Sequence, residues 1–70
     1  MWEKGIINGY NFYAKCYEEG SEFGINEGRI SKLDIRKDGN MLYNYDRGLD
    51  FNNLDAGGKA VYKKILKMYN

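Results

Sequence analysis

Trp2-Glu3-Lys4-Gly5-Ile6-Ile7-Asn8-Gly9-Tyr10-Asn11-Phe12-Tyr13-Ala14-Lys15-Cys16 sets an Asn-Gly pair between two segments rich in aromatic and branched residues. Both residues of such a pair tolerate positive φ, so it closes a two-residue type I′ hairpin and fixes the register of the strands it joins. Ile7 then faces Tyr10, Gly5 faces Phe12 and Glu3 faces Ala14 on one side of the hairpin, while Lys4 faces Tyr13 and Trp2 faces Lys15 on the other. The alternation Tyr10, Phe12, Ala14, Cys16 supplies the expected core side.

A second hairpin is expected around Lys37-Asp38-Gly39, between the segments 29–36 and 40–46. Two registers compete. A two-residue Asp-Gly loop pairs Ile35 with Leu42 but Leu33 with Asn44, which mixes polar and apolar residues on each side. A three-residue loop with Gly39 in a bulge pairs Ile35 with Met41, Leu33 with Tyr43 and Ser31 with Tyr45, and gives one clean apolar side. The second register is preferred on that ground.

From Asp55 to Tyr69, Val61, Tyr62, Ile65, Leu66, Met68 and Tyr69 recur at helical spacing, with Lys59, Lys63, Lys64 and Lys67 largely opposite. Asn53 or Asp55 suits the N-cap, and Gly57 and Gly58 weaken the first turn, so a late start or fraying there is expected. Val61, Ile65 and Met68 should bury against Phe12, Leu33, Ile35 and Tyr43. The fold class is therefore α+β, two β-hairpins forming an antiparallel sheet of about four strands with one C-terminal helix on a face. Residues 1–70 form a single small binding domain with no internal boundary. The Gly- and Glu-rich segment 18–28 reads as a connecting loop.

With one cysteine and no histidine, the chain can form no internal disulfide and has too few soft ligands for a zinc site. No metal or cofactor is expected, and a reducing cytoplasm fits. Residues 1–5 have neither a basic flank nor an apolar run, and no segment is apolar enough to span a bilayer. Catalysis is not expected either. The commonest general base is missing, Ser21 and Ser31 have no neighbour to activate them, and Cys16 lies on the core side of its strand.

Net charge is +1, but residues 1–28 carry −3 and residues 29–70 carry +4. The near-neutral total and the acidic first part argue against a nucleic-acid partner, and the basic second part suits a small anionic one. In the preferred register Arg29 faces Arg47 on the side that carries Ser31 and Tyr45. Opposed like charges destabilise a strand pair unless an anion lies between them, so Arg29, Ser31, Tyr45 and Arg47 form a candidate ligand site. The alternative is that Glu27 or Asp50 neutralises the two arginines.

One Trp, seven Tyr and three Phe exceed what one small core needs. Trp2, Tyr13 and Tyr17 fall on the side of the first hairpin away from Phe12, where they form either a partner interface or core beneath the helix.

Asn, Lys, Ile and Tyr dominate the composition, and all use AT-rich codons. The stretch Gly20-Ser21-Glu22-Phe23-Gly24-Ile25-Asn26-Glu27-Gly28-Arg29-Ile30-Ser31-Lys32-Leu33, with Tyr45-Asp46-Arg47-Gly48-Leu49-Asp50, resembles a family of short domains of unknown function from low-GC bacteria and their phages. The resemblance implies a mobile-element setting, in which small non-enzymatic proteins blunt host defence. The first expectation is thus a phage-type protein that sequesters a small anionic, nucleotide-type ligand, with a homo-oligomer helping to form its pocket. The second is an inhibitor of a host protein complex, acting through an aromatic and acidic surface.

Overall fold

The computed structural model describes all of residues 1–70. The elements are β1 (Trp2–Ile7), β2 (Tyr10–Cys16), β3 (Ile30–Lys37), β4 (Asn40–Asp46), β5 (Leu49–Asn52) and α1 (Ala56–Tyr69), with a short 3₁₀ turn at Ile25–Glu27. The strands form one antiparallel sheet in sequence order. The α+β class holds, and the sheet has five strands rather than about four. β5 escapes sequence reading because its four residues are all exposed and carry no burial pattern.

Asn8 and Gly9 have φ of 51° and 81°, as the type I′ turn requires, and the first hairpin has the register expected of it. The second hairpin follows neither expected register. Asp38 and Gly39 have φ of 52° and 79° and close a two-residue turn, with Lys37 facing Asn40 and Arg36 facing Met41. Leu42 is then bulged, so that Ile35 faces Tyr43 and Leu33 faces Tyr45. The expected pairs Ile35 with Met41, Leu33 with Tyr43, Ser31 with Tyr45 and Arg29 with Arg47 do not form. The bulge meets both demands at once. Positive φ at both turn residues matches strand twist, and one inserted residue restores the apolar side beyond the turn.

Tyr10, Phe12, Ala14, Ile30, Leu33, Ile35 and Tyr43 on the sheet meet Val61 and Ile65 of α1, and Ile25 closes one end of this core. Met68 is a correction: it is 51% exposed. The buried stripe of α1 runs through Gly58, Val61 and Ile65 toward Tyr69, whose ring lies 6.0 Å from that of Phe12, and this turns Met68 outward. The late helix start is also corrected, since α1 begins at Ala56. Its glycines answer a packing demand. A Cβ at Gly57 would meet the Tyr10 hydroxyl at 2.6 Å, and one at Gly58 would meet Leu54 Cδ2 at 2.9 Å. Helix propensity yields there to close approach.

The segment 18–28 is folded back on itself. The backbone N–H of Ser21 donates to Gly28 O at 3.2 Å, and that of Gly24 donates to Ser21 O at 3.0 Å. Asn70 Nδ2 donates to Ile25 O at 3.0 Å, and Asn70 Oδ1 accepts the Ile30 N–H at 2.9 Å. No helix is long and apolar enough to cross a membrane.

Candidate functional site: the open face of the sheet

One helix covers one face of the sheet, and the other face is bare. The pairing aligns three rows of side chains across it: Ile6, Asn11, Arg36 and Met41; Lys4, Tyr13, Asp34, Asn44 and Phe51; Trp2, Lys15, Lys32 and Asp46. Trp2 and Tyr13 lie on this face about half exposed, with Tyr17 just past the end of β2, which removes the alternative of a core beneath the helix. The Trp2 and Tyr13 rings meet edge to face, with centroids 4.8 Å apart at 70°. Lys15 Nζ lies 5.6 Å from the Trp2 ring centroid and 5.4 Å from that of Tyr17. These contacts link the three aromatic groups through one another and through Lys15.

Tyr13 stands between two grooves. The larger, about 580 Å³, is bordered by Lys4, Ile6, Asn11, Tyr13, Asp34 and Arg36. The smaller, about 170 Å³, is bordered by Trp2, Tyr13, Lys32, Asp34, Asn44 and Asp46. Two long ion pairs lie on the face, Lys32 Nζ to Asp46 Oδ1 at 3.6 Å between β3 and β4, and Arg36 Nε to Asp34 Oδ1 at 3.8 Å along β3. Burial pushes the Asp34 carboxyl above the usual carboxylate range, against the opposing pull of Arg36. Lys4 has no carboxylate partner. The larger groove thus combines a π face, an amide side chain, two cations and the Asp34 carboxylate that Arg36 opposes.

Of the residues expected to form an anion site, Ser31, Tyr45 and Arg47 are neighbours, Arg47 bonded to Ser31 and meeting Tyr45 at Phe23, while Arg29 stands apart. Arg47 occupies the β4–β5 turn with φ of 57°, donates its backbone N–H to Ser31 O at 2.8 Å, and lies 5.9 Å over the Phe23 ring. Arg29 accepts the Tyr17 N–H at its carbonyl and borders a separate depression of about 400 Å³ with Glu3, Cys16, Glu18 and Tyr69. Ser31 is buried with its hydroxyl toward Lys15 O, and Tyr45 donates its hydroxyl to Phe23 O at 2.9 Å. The structure does not set Arg29 opposite Arg47, and no ion pair joins either arginine to Glu27 or Asp50. The Leu42 bulge and the two-residue turn move the β3–β4 register by two residues from the expected one, which gives Arg47 the backbone of Ser31 as its neighbour.

Sequence reasoning placed Trp2 and Tyr13 but missed Asp34, Arg36, Lys32 and Asn44 as their neighbours. The first hairpin already set Lys4 beside Tyr13. The remainder needed the β2–β3 pairing, which no short turn encodes because the segment between these strands is long.

Among known proteins, residues 1–70 match the family model described as Domain of unknown function (DUF7678). No curated protein and no solved structure matches the chain.

Proposed function

We propose that this chain, which belongs to the DUF7678 family, is a non-enzymatic binding domain whose open sheet face captures a nucleotide-type ligand. The observation that carries the reading is Tyr13, exposed between two grooves, with Trp2 braced against its edge and Lys4 and Arg36 on the border of the larger groove. A base stacked on an aromatic side chain gains about 1–3 kcal/mol. Arg36 meets Asp34 at only one long contact, which leaves other guanidinium N–H groups to donate to a phosphate.

The ligand class expected from the sequence is retained and its place is changed, from Arg29, Ser31, Tyr45 and Arg47 to the sheet face. In a phage or mobile-element setting, such capture in the cytoplasm would sequester a nucleotide signal and blunt host defence. A second reading, a protein inhibitor, is favoured by Ile6, 69% exposed on the same face, and by the exposed Glu18, Glu19, Glu22 and Glu27.

Trp2 is the only tryptophan, so its fluorescence reports directly on the face. Titration with nucleoside mono- and diphosphates should quench it saturably. Tyr13→Ala should abolish that response, and Arg47→Ala should leave it intact. A wild-type signal indifferent to every nucleotide, with no shift in melting, would reject this reading in favour of the protein partner.

A further inference from the structure

We infer that the open face takes at least two linked nucleotides rather than one, as a short single-stranded oligonucleotide running along the strands past Tyr13; this rests on the reading above. The two grooves share Tyr13 and Asp34, so a ligand filling both must be continuous past that pair. Each groove has its own set of recognition groups. The larger has Asn11 with Lys4 and Arg36, and the smaller has Asn44 with Lys32. Both asparagine amides donate and accept, which suits the mixed edge of a base. Trp2 borders only the smaller groove, so a base there can lie against Trp2 while one in the larger groove stacks on Tyr13.

The rows that carry these groups are two residues apart along the strands, about 7 Å at the usual strand rise. That spacing suits an unstacked strand, whose bases splay apart onto separate side chains. At about 170 Å³ the smaller groove is too small to enclose a nucleotide, which makes it a stacking position for the neighbouring base. Although the whole chain is nearly neutral, the face itself carries Lys4, Lys15, Lys32 and Arg36 against Asp34 and Asp46. Both carboxylates already oppose a cation, while Lys4 and Lys15 have no acidic partner. Local rather than total charge governs attraction to a phosphate backbone.

The test compares the four nucleoside monophosphates, their dinucleotides, and mixed-sequence RNA and DNA of about ten nucleotides, using Trp2 fluorescence and calorimetry on the full chain. Dinucleotides should bind at least about ten-fold tighter than monophosphates, as expected when a second base stacks. Lys32→Ala should weaken the dinucleotides and longer strands several-fold, leave the monophosphates unchanged, and make the salt dependence of strand binding shallower by about 0.7 in its logarithmic slope. The RNA and DNA arms identify the sugar preferred. If monophosphates bind and linked nucleotides bind no tighter, the inference is overturned while the nucleotide reading survives. If no probe binds, both fall.

Discussion

The Tyr10 hydroxyl donates to Asp55 Oδ1 at 2.6 Å, and the same oxygen accepts the Gly58 N–H at 2.7 Å. One carboxylate therefore caps α1 and ties its first turn to the strand that follows the Asn8-Gly9 turn. Its pKa is held below the usual carboxylate range, first by the Tyr10 hydrogen bond and then by the Gly58 N–H. The Tyr10 phenol is correspondingly raised, mainly by its bond to Asp55.

These shifts set two pH windows. Asp55 stabilises the fold above its unfolded pKa of about 3.9, and that contribution is lost as pH falls through the lower folded value. Tyr10 contributes below its unfolded pKa of about 10, and its contribution is lost as pH rises through the higher folded value. Melting temperature followed across both ranges should fall at each end in the wild type. In Tyr10→Phe the alkaline fall should be smaller; an identical alkaline profile would mean that the hydrogen bond does not couple strand and helix.

Gly57→Ala should lower the melting temperature. Propensity alone predicts the reverse, a gain of about 1 kcal/mol for replacing a helical glycine. The added Cβ, however, would press on the Tyr10 hydroxyl at 2.6 Å and displace it from Asp55. In a Tyr10→Phe background the hydroxyl is gone, and the same substitution should become neutral or stabilising. A stabilised single variant would show that the strand yields without cost.

Val61→Asp or Ile65→Asp should unfold the domain, because an unpaired charge placed among Phe12, Leu33 and Ile35 costs several kcal/mol, comparable to the stability of a domain this small. Met68→Asp and Lys63→Glu lie on exposed positions and should change thermal melts by no more than about 0.5 kcal/mol equivalent. Unfolding by Met68→Asp would contradict the observed helix rotation.

Asn70→Ala removes the partners of Ile25 O and the Ile30 N–H together. A loss of about 1–3 kcal/mol is expected if these backbone groups are left unpaired. The segment 18–28 should then open, with faster cleavage at Glu18, Glu19 and Glu22 by a glutamate-specific protease. Unchanged cleavage and melting would show that the 3₁₀ turn holds itself.

Arg47→Gly and Arg47→Ala should differ in stability. At φ of 57° a side chain bears a left-handed cost of about 1–2 kcal/mol that glycine avoids and alanine keeps, while both substitutions lose the Phe23 contact. Thermal melts should place Arg47→Gly above Arg47→Ala. Because Arg29 does not face Arg47, Arg29→Ala should relieve no repulsion, and a clear rise in its melting temperature would restore the opposed-arginine site.

Short-range chemistry was legible wherever a few adjacent residues determine the geometry. Asn8-Gly9 admits positive φ at both positions and so sets Trp2 opposite Lys15 and Lys4 opposite Tyr13. Asp55 presents an acceptor to the N–H groups of a helix start, and the spacing of Val61 and Ile65 selects the buried side of α1. Tertiary structure decided what adjacent residues do not encode. The β2–β3 pairing closes a loop of more than ten residues, so it depends on which apolar sides bury together rather than on a turn. The bulges at Leu42 and Ser31 each insert one residue into a two-residue alternation, and the preference for them arises only when the whole core is satisfied at once. A single inserted residue changes which side chains become neighbours across strands. That is why Arg29 and Arg47 part, while Tyr13 acquires Asp34, Arg36 and Asn44 around it on a face that one helix is too few to cover.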